Sequence, residues 1–284
     1  KVVLCHYVWM GNHLHLFLIA WDHQACVNFY QEVQKKITES FKRLAGKHRL
    51  SLWEGDPVVA QILDLDKAIE KVAYIYANPS RANLCNKIED YGGVSSWKEY
   101  CSNNSSIADC SSRMVPWVRL PSIPKLTSLK LTLEKDMEVA GTLTRENKER
   151  CEFKLYPNAW MGCFGVSSNK AVSRINERIL EDLRLREKEY VNRRFKLKIA
   201  PLKTRGLRQI PLLCPFNPKP RERRVFVLSS IPVLRVSFIA RVKEFSKLCD
   251  ECYQLLKRGI VPKWPPGAFR PPAPPLATAL GDYG

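Results

Sequence analysis

Nothing in this sequence restricts the fold more than its first nineteen residues. Val2 to Trp9 and His13 to Ile19 are β-rich runs joined by the turn signal Met10-Gly11-Asn12, so they read as a β-hairpin. Side chains two apart leave a strand on the same face. His13, His15 and Phe17 therefore share one face of the second strand, and Leu14, Leu16 and Leu18 the other. The leucines ask for a core. The two imidazoles are then expected on the sheet's opposite surface, at a spacing that a divalent metal ion can bridge.

Two helices follow. Tyr30, Val33, Ile37, Phe41 and Leu44 recur at helical spacing within 24–45, an amphipathic helix expected to cover the leucine face and to stop at Gly46. A second helix starts after Asp64 with Leu65, Ala68, Ile69, Val72 and Tyr76 as its buried stripe. Asn78-Pro79 is expected to end it, because a residue before proline is pushed out of helical geometry. Tyr76 lies on the stripe and reads as a core aromatic. Tyr74 lies off it, in line with Glu70 and Asn78, and faces away from the core. Residues four apart share a helical face, so Tyr74 and Asn78 present a phenol and an amide oxygen one turn apart. Two imidazoles, an amide oxygen and a phenol are the parts of a metal-assisted phosphoryl-transfer site.

Beyond Tyr100 the pattern fades. Residues 101–125 read as a Ser-, Asn- and Pro-rich linker, and 126–165 hold short strand-like stretches such as Leu129 to Leu133. A charged helix is expected from Ala171 to about Phe195, and a strand at Val225–Leu228 leads into an amphipathic helix reaching Leu256. A Pro-rich segment, 211–220, interrupts, and the tail after Pro262 is extended. The expected boundaries are 1–108 for the first domain, 109–165 for a linker and irregular region, 166–262 for a basic extension and 263–284 for a Pro-rich tail.

The formal net charge of +18 is unevenly spread. Residues 1–100 carry about 12 Lys/Arg against about 11 Asp/Glu, and the remainder about 34 against about 17. A nearly neutral module followed by a strongly basic one points to a polyanion partner, nucleic acid before an acidic membrane surface. The basic run supplies the candidate DNA contacts Arg184, Arg186, Arg193, Arg194, Lys196, Lys198, Lys203, Arg205 and Arg208. No run of eighteen apolar residues is present, so a membrane span is not expected. The chain opens in mid-strand at Lys1 with neither an initiator Met nor a signal-peptide layout, as a fragment lacking its native first segment would. The ten scattered cysteines are expected as free thiols of a reducing cytoplasm. Cys249 and Cys252 alone have metal or redox spacing, and no histidine follows His48 to complete a zinc site.

The stretch Tyr7-Val8-Trp9-Met10-Gly11-Asn12-His13-Leu14-His15-Leu16 resembles the signature of the single-tyrosine HUH transposases, and within them the REP-associated tyrosine transposases of bacteria. Tyr74-Ile75, then Asn78-Pro79 and Arg81-Ala82-Asn83-Leu84, resemble that family's tyrosine helix and the turn after it. Tyr91 and Ser95-Ser96-Trp97 resemble the segment closing its domain. The resemblance covers about residues 1–100. It implies an α+β, ferredoxin-like antiparallel sheet with helices on one face, here followed by a basic, mostly helical C-terminal extension. It also implies cutting and rejoining of single-stranded DNA near hairpins through a 5′-phosphotyrosine link. Tyr74 matches the nucleophile, His13 and His15 the metal ligands, and Asn78 the third ligand. The implied cofactor is Mn2+ or Mg2+, the partner single-stranded or hairpin DNA, and the location the bacterial cytoplasm at the nucleoid, with monomer and homodimer both open. Gly11 replaces the family's usual proline, and its first strand is absent. The rival readings are a non-catalytic nucleic-acid-binding protein of the same fold and a phosphodiesterase using water.

Overall fold

The hairpin forms. In the computed structural model, which describes residues 1–44, 48–53, 57–118, 148–202, 206, 225–268 and 271, β1 (Val2–Trp9) pairs antiparallel with β2 (Leu14–Ala20). The Met10 amide donates to the His13 carbonyl at 2.8 Å to close the turn. Trp9 faces Leu14 and Val8 faces His15, and the register shifts between Leu4 and His6. That bulge belongs to a strand whose middle is buried from Cys5 to Val8. Asp22 caps α1 (His23–Leu44), its carboxylate accepting the Ala25 amide at 2.6 Å. Tyr30, Val33, Ile37 and Phe41 are half-buried at the expected spacing, and α1 packs on β1 and β2.

The remaining elements are β3 (Gln61–Ile62), α2 (Leu65–Arg81), β4 (Val94–Ser95), α3 (Trp97–Ser102), β5 (Ser111–Val118), β6 (Lys148–Leu155), α4 (Asn169–Leu197), β7 (Val227–Leu228) and α5 (Pro232–Lys257). They fall into two compact units, one of Lys1–Val59 with Leu65–Arg224 and the other of Ala60–Asp64 with Val225–Gly284. These divisions do not follow the boundaries expected from sequence. Mixed α+β architecture is present, built on a small antiparallel sheet in the order β2-β1-β4.

In the first unit both faces of the hairpin are covered, and the histidine face, expected to be open, belongs to the core. Phe17 and Val8 are buried on that face, while on the other Tyr7 is buried opposite Leu16 and Leu14, Leu16 and Leu18 are half-buried. The reason is α2, whose aromatic side chains reach the face that carries His6, His15 and Phe17. Tyr76, Trp97, Tyr100 and Trp160 close round Phe17 and His6, and each such buried ring contributes about 1.5–3 kcal/mol.

Asn78-Pro79 does not end α2. Pro79 sits inside its last turn, where the missing N–H deprives only the Ile75 carbonyl of a partner. The helix runs on to Arg81 and is closed by Asn83, whose φ of 61° is left-handed. The Leu84 amide donates to the Pro79 carbonyl at 2.9 Å and the Asn83 amide to Ser80 at 3.1 Å, a Schellman closure with asparagine in place of glycine.

The expected linker is also corrected, because 111–118 form β5, paired along its whole length with β6. The Tyr156 amide then donates to the Leu4 carbonyl at 3.0 Å, anchoring the end of this arm on β1. Residues 126–147 and 211–220 lie outside the described residues. The charged helix, α4, begins at a Ser168 cap that accepts the Ala171 amide. It buries Val172, Ile175, Ile179 and Leu183 and packs along α2, so it is part of the first unit.

In the second unit β3 pairs parallel with β7, and buried Asp64 accepts from the Ser230 amide at 2.8 Å and hydroxyl at 2.6 Å. On α5, Cys252 donates to the Lys263 carbonyl at 3.5 Å and is buried, while Cys249 is half-buried. No helix among the described residues is long and apolar enough to cross a membrane.

Candidate active site

The turn sets His13 just before β2, exposed, and β2 carries His15 half-buried beside it. Their rings lie 4.8 Å apart and perpendicular. His13 Nδ1 is 2.7 Å from Asn12 Oδ1. An amide oxygen only accepts, so the imidazole proton belongs on Nδ1 and the lone pair on Nε2. His15 Nε2 is sealed from solvent with no hydrogen-bond partner. An orphaned buried polar atom costs about 1–3 kcal/mol. Burial pushes the His15 imidazolium down to about 4, reinforced by the charges of His13, Arg81 and Lys71. Burial, then Arg81, also lowers His13. Both rings are therefore neutral at pH 7, the form that offers a lone pair to a cation.

Tyr74 meets this pair from α2. Its ring stands edge-on to that of His15, with centroids 6.0 Å apart. Tyr74 is half-buried rather than sealed in, whereas Tyr76 is fully buried. The sequence distinction between the two tyrosines is the observed one. Arg81 donates a hydrogen bond to the Tyr74 phenolic oxygen. Its guanidinium carbon lies 5.5 Å from the ring centroid, and the Lys71 ammonium lies 4.9 Å from it. Glu70 is bonded to Lys67 and lies 4.0 Å from Lys71, so this carboxylate is held among lysines.

Asn78 is buried, and its amide nitrogen donates to the Tyr74 carbonyl at 3.0 Å. The amide oxygen is the atom that remains to be offered. Among the described residues no three His, Cys, Asp or Glu side chains gather as a metal site. The cluster consists of two imidazoles, a phenol and two cations, with Asn78 one helical turn from the phenol.

The expected DNA contacts divide. Arg194 is buried and donates to the Ser80 carbonyl and, at 2.9 Å, to Asn86. Arg184 pairs with Glu89 and, at 2.7 Å, with Glu187, while Arg186 bonds Asp182 at 3.0 Å. These three hold α4 to its surroundings or to itself, because a helix packed along α2 places part of its basic sequence against protein. Arg193, Lys196 and Lys198 are exposed, and Lys203, Arg205 and Arg208 lie outside the described residues.

Sequence reasoning missed Arg81, Lys71 and the role of Asn12. Arg81 follows Tyr74 by seven residues, two helical turns, but reading Pro79 as the helix end hid that alignment. His6 is fully buried, its Nε2 accepts from the Trp160 indole at 3.2 Å, and its Nδ1 donates to Tyr76 at 2.8 Å. Tyr76 in turn donates to Ser96 at 2.9 Å, and Ser96 to the Tyr7 carbonyl at 3.2 Å. This chain fixes α2 on β1 directly behind the candidate site.

No protein-family model, no curated protein and no solved structure matches the chain.

Proposed function

We propose that this chain is a single-tyrosine DNA strand transferase that cuts and rejoins single-stranded DNA near hairpins. The observation that carries the reading is the buried, unpartnered His15 Nε2 beside His13, with Tyr74 packed edge-on against the same ring. A structural histidine pair would satisfy that nitrogen with a protein group.

These residues fit a divalent cation. His13 and His15 would hold it through Nε2 and Asn78 through its amide oxygen, a nitrogen–oxygen donor set that suits Mn2+ or Mg2+. The cation's chemistry is Lewis acidity toward a non-bridging phosphate oxygen. The chain's own residues do the rest. Tyr74 attacks phosphorus, forming a bond from its phenolic oxygen as the bond to the 3′-oxygen breaks. The phenolic proton goes to solvent, since Glu70 is held by Lys67, and the departing 3′-oxygen takes up a proton. The product is a 5′-phosphotyrosine and a free 3′-hydroxyl. Because the phosphodiester is transferred and not hydrolysed, a 3′-hydroxyl can rejoin the strand without a nucleotide cofactor. Lys71 and Arg81 supply positive charge at the phosphate. Arg193, Lys196 and Lys198 offer exposed charge for the backbone.

Incubation with hairpin-bearing single-stranded oligonucleotides and Mn2+ tests this. The expected result is an SDS-stable protein–DNA adduct that Tyr74→Phe abolishes and Tyr76→Phe retains. His15→Ala is expected to lose cleavage and Mn2+ binding, the latter read by calorimetry, while keeping salt-sensitive DNA binding. Cleavage without an adduct, undiminished in Tyr74→Phe, would make the chain a phosphodiesterase that uses water.

A further inference from the structure

The arginines at the candidate site and along α4 differ in one respect. Arg184 and Arg186 end on carboxylates and Arg194 on a carbonyl and an amide. Arg81, although exposed, ends on a phenol. Among the described residues no carboxylate pairs with it. A guanidinium left without an anion beside a nucleophile is placed for a charge that appears only during a reaction.

Its position has a structural cause. Seven residues turn an α-helix through nearly two full turns, so Arg81 lies under Tyr74 only if the helix continues through Pro79. It does so because the left-handed Asn83 and the bonds from Leu84 to Pro79 and from Asn83 to Ser80 close the last turn after Arg81. A helix ending at Asn78 would remove this alignment.

We infer that Arg81 is a catalytic residue of this site, holding the phenolic oxygen of Tyr74 and stabilising the negative charge that oxygen carries as it enters and leaves phosphorus. The inference rests on the strand-transfer reading above. A guanidinium donates hydrogen bonds and accepts none, so Arg81 is not the base that removes the phenolic proton. Its donation makes the phenolic oxygen an acceptor on that side and leaves the O–H to point away from the guanidinium. In cleavage the bond from Tyr74 oxygen to phosphorus forms as that to the 3′-oxygen breaks. In rejoining the bond order reverses and the phenolate departs. The same guanidinium serves both directions. Lys71, whose ammonium lies 4.9 Å from the centre of the ring, adds charge and not direction.

The test is single-turnover adduct formation at saturating oligonucleotide with wild type, Arg81→Gln, Arg81→Lys and Arg81→Ala. Loss of one preorganised donor to a developing oxyanion slows chemistry about 10²–10³-fold. Arg81→Gln is expected to fall by that factor with unchanged DNA affinity and melting temperature, since Arg81 is exposed. Arg81→Lys recovers part of the rate, and guanidinium ion, but not sodium ion at equal ionic strength, rescues Arg81→Ala. The role is overturned if Arg81→Gln matches wild type, if saturating DNA restores its rate, or if its loss is accounted for by a lower melting temperature. A wild type that forms no adduct refutes the strand-transfer reading itself. A wild type that does, equalled by Arg81→Gln, refutes only the role of Arg81.

Discussion

Replacing Tyr76 by Phe removes one oxygen from the interior and leaves the ring stack with Tyr100 in place, so its cost can be worked from two hydrogen bonds. Tyr76 accepts from His6 Nδ1 at 2.8 Å and donates to Ser96 at 2.9 Å. Ser96 keeps its other two bonds, accepting the Tyr7 amide at 2.8 Å and donating to the Tyr7 carbonyl at 3.2 Å. His6 is fully buried with its Nε2 committed to Trp160, and without the Tyr76 oxygen its remaining hydrogen-bond partner is the Pro157 backbone. Losing one such buried hydrogen bond costs about 0.5–1.5 kcal/mol, and for a unit of this size that is a fall of about 2–4 °C in Tm per kcal/mol. Tyr74→Phe, in contrast, removes a half-buried hydroxyl bonded to an exposed arginine and is expected to stay within about 0.5 kcal/mol. Two identical substitutions two residues apart thus separate stability from chemistry. Urea unfolding of both variants beside the adduct assay reads the contrast. A neutral Tyr76→Phe, or a Tyr74→Phe more destabilised than Tyr76→Phe, would refute the assignment of the two side chains.

Three further outcomes follow from the same packing. Burial holds the His6 imidazolium down to about 3, whereas the unfolded chain protonates near 6.5, so the unfolded state binds the extra proton between those values. Stability is full above about pH 6.5 and falls as the pH drops toward 3. At pH 5 the loss from His6 is about 2 kcal/mol, and a His6→Gln variant whose unfolding free energy keeps the wild-type slope over this window would contradict it. Asn83→Gly is expected to match or exceed wild type in thermal melts, while Asn83→Val loses about 1–2 kcal/mol because a β-branched residue resists a φ of 61°; equal melts for the two would contradict the helix end described. Arg194→Met leaves the Ser80 carbonyl and Asn86 amide without their buried donor and is expected to cost about 1–3 kcal/mol, so a variant with unchanged melting but weakened DNA binding would return Arg194 to the surface role its sequence position implied.

Much of the local structure was legible because its signals are periodic. The hairpin, α1, α2, α4 and α5 are where alternation and helical spacing put them, and the separation of Tyr74 from Tyr76 followed from one helical stripe. Polarity between faces was not legible. Leucine outranks histidine on any transfer scale, yet His6 and His15 lie on a core face, since the aromatic rings of α2 and the Trp160 indole offer imidazoles both contact and hydrogen bonds. Proline was over-read. Its steric rule concerns the residue before it and one lost donor, and a last turn closed at Asn83 tolerates both. The basic run misled in the same way, because net charge is a property of composition, while Arg184 and Arg194 answer to Glu89 and Ser80, partners 95 and 114 residues distant in sequence. For Arg81 the signal was present as the seven-residue spacing from Tyr74.

The central claim is that the phenol of Tyr74 becomes the carrier of a DNA phosphate. Tryptic digestion of the adduct formed with a short oligonucleotide releases the peptide Val72–Arg81, which contains both Tyr74 and Tyr76. Tandem mass spectrometry of that peptide, after nuclease trimming, locates the added nucleotide within it. The account predicts the whole of the added mass on Tyr74. The mass on Tyr76, on any other residue, or on no peptide while the DNA is nevertheless cut, would contradict it.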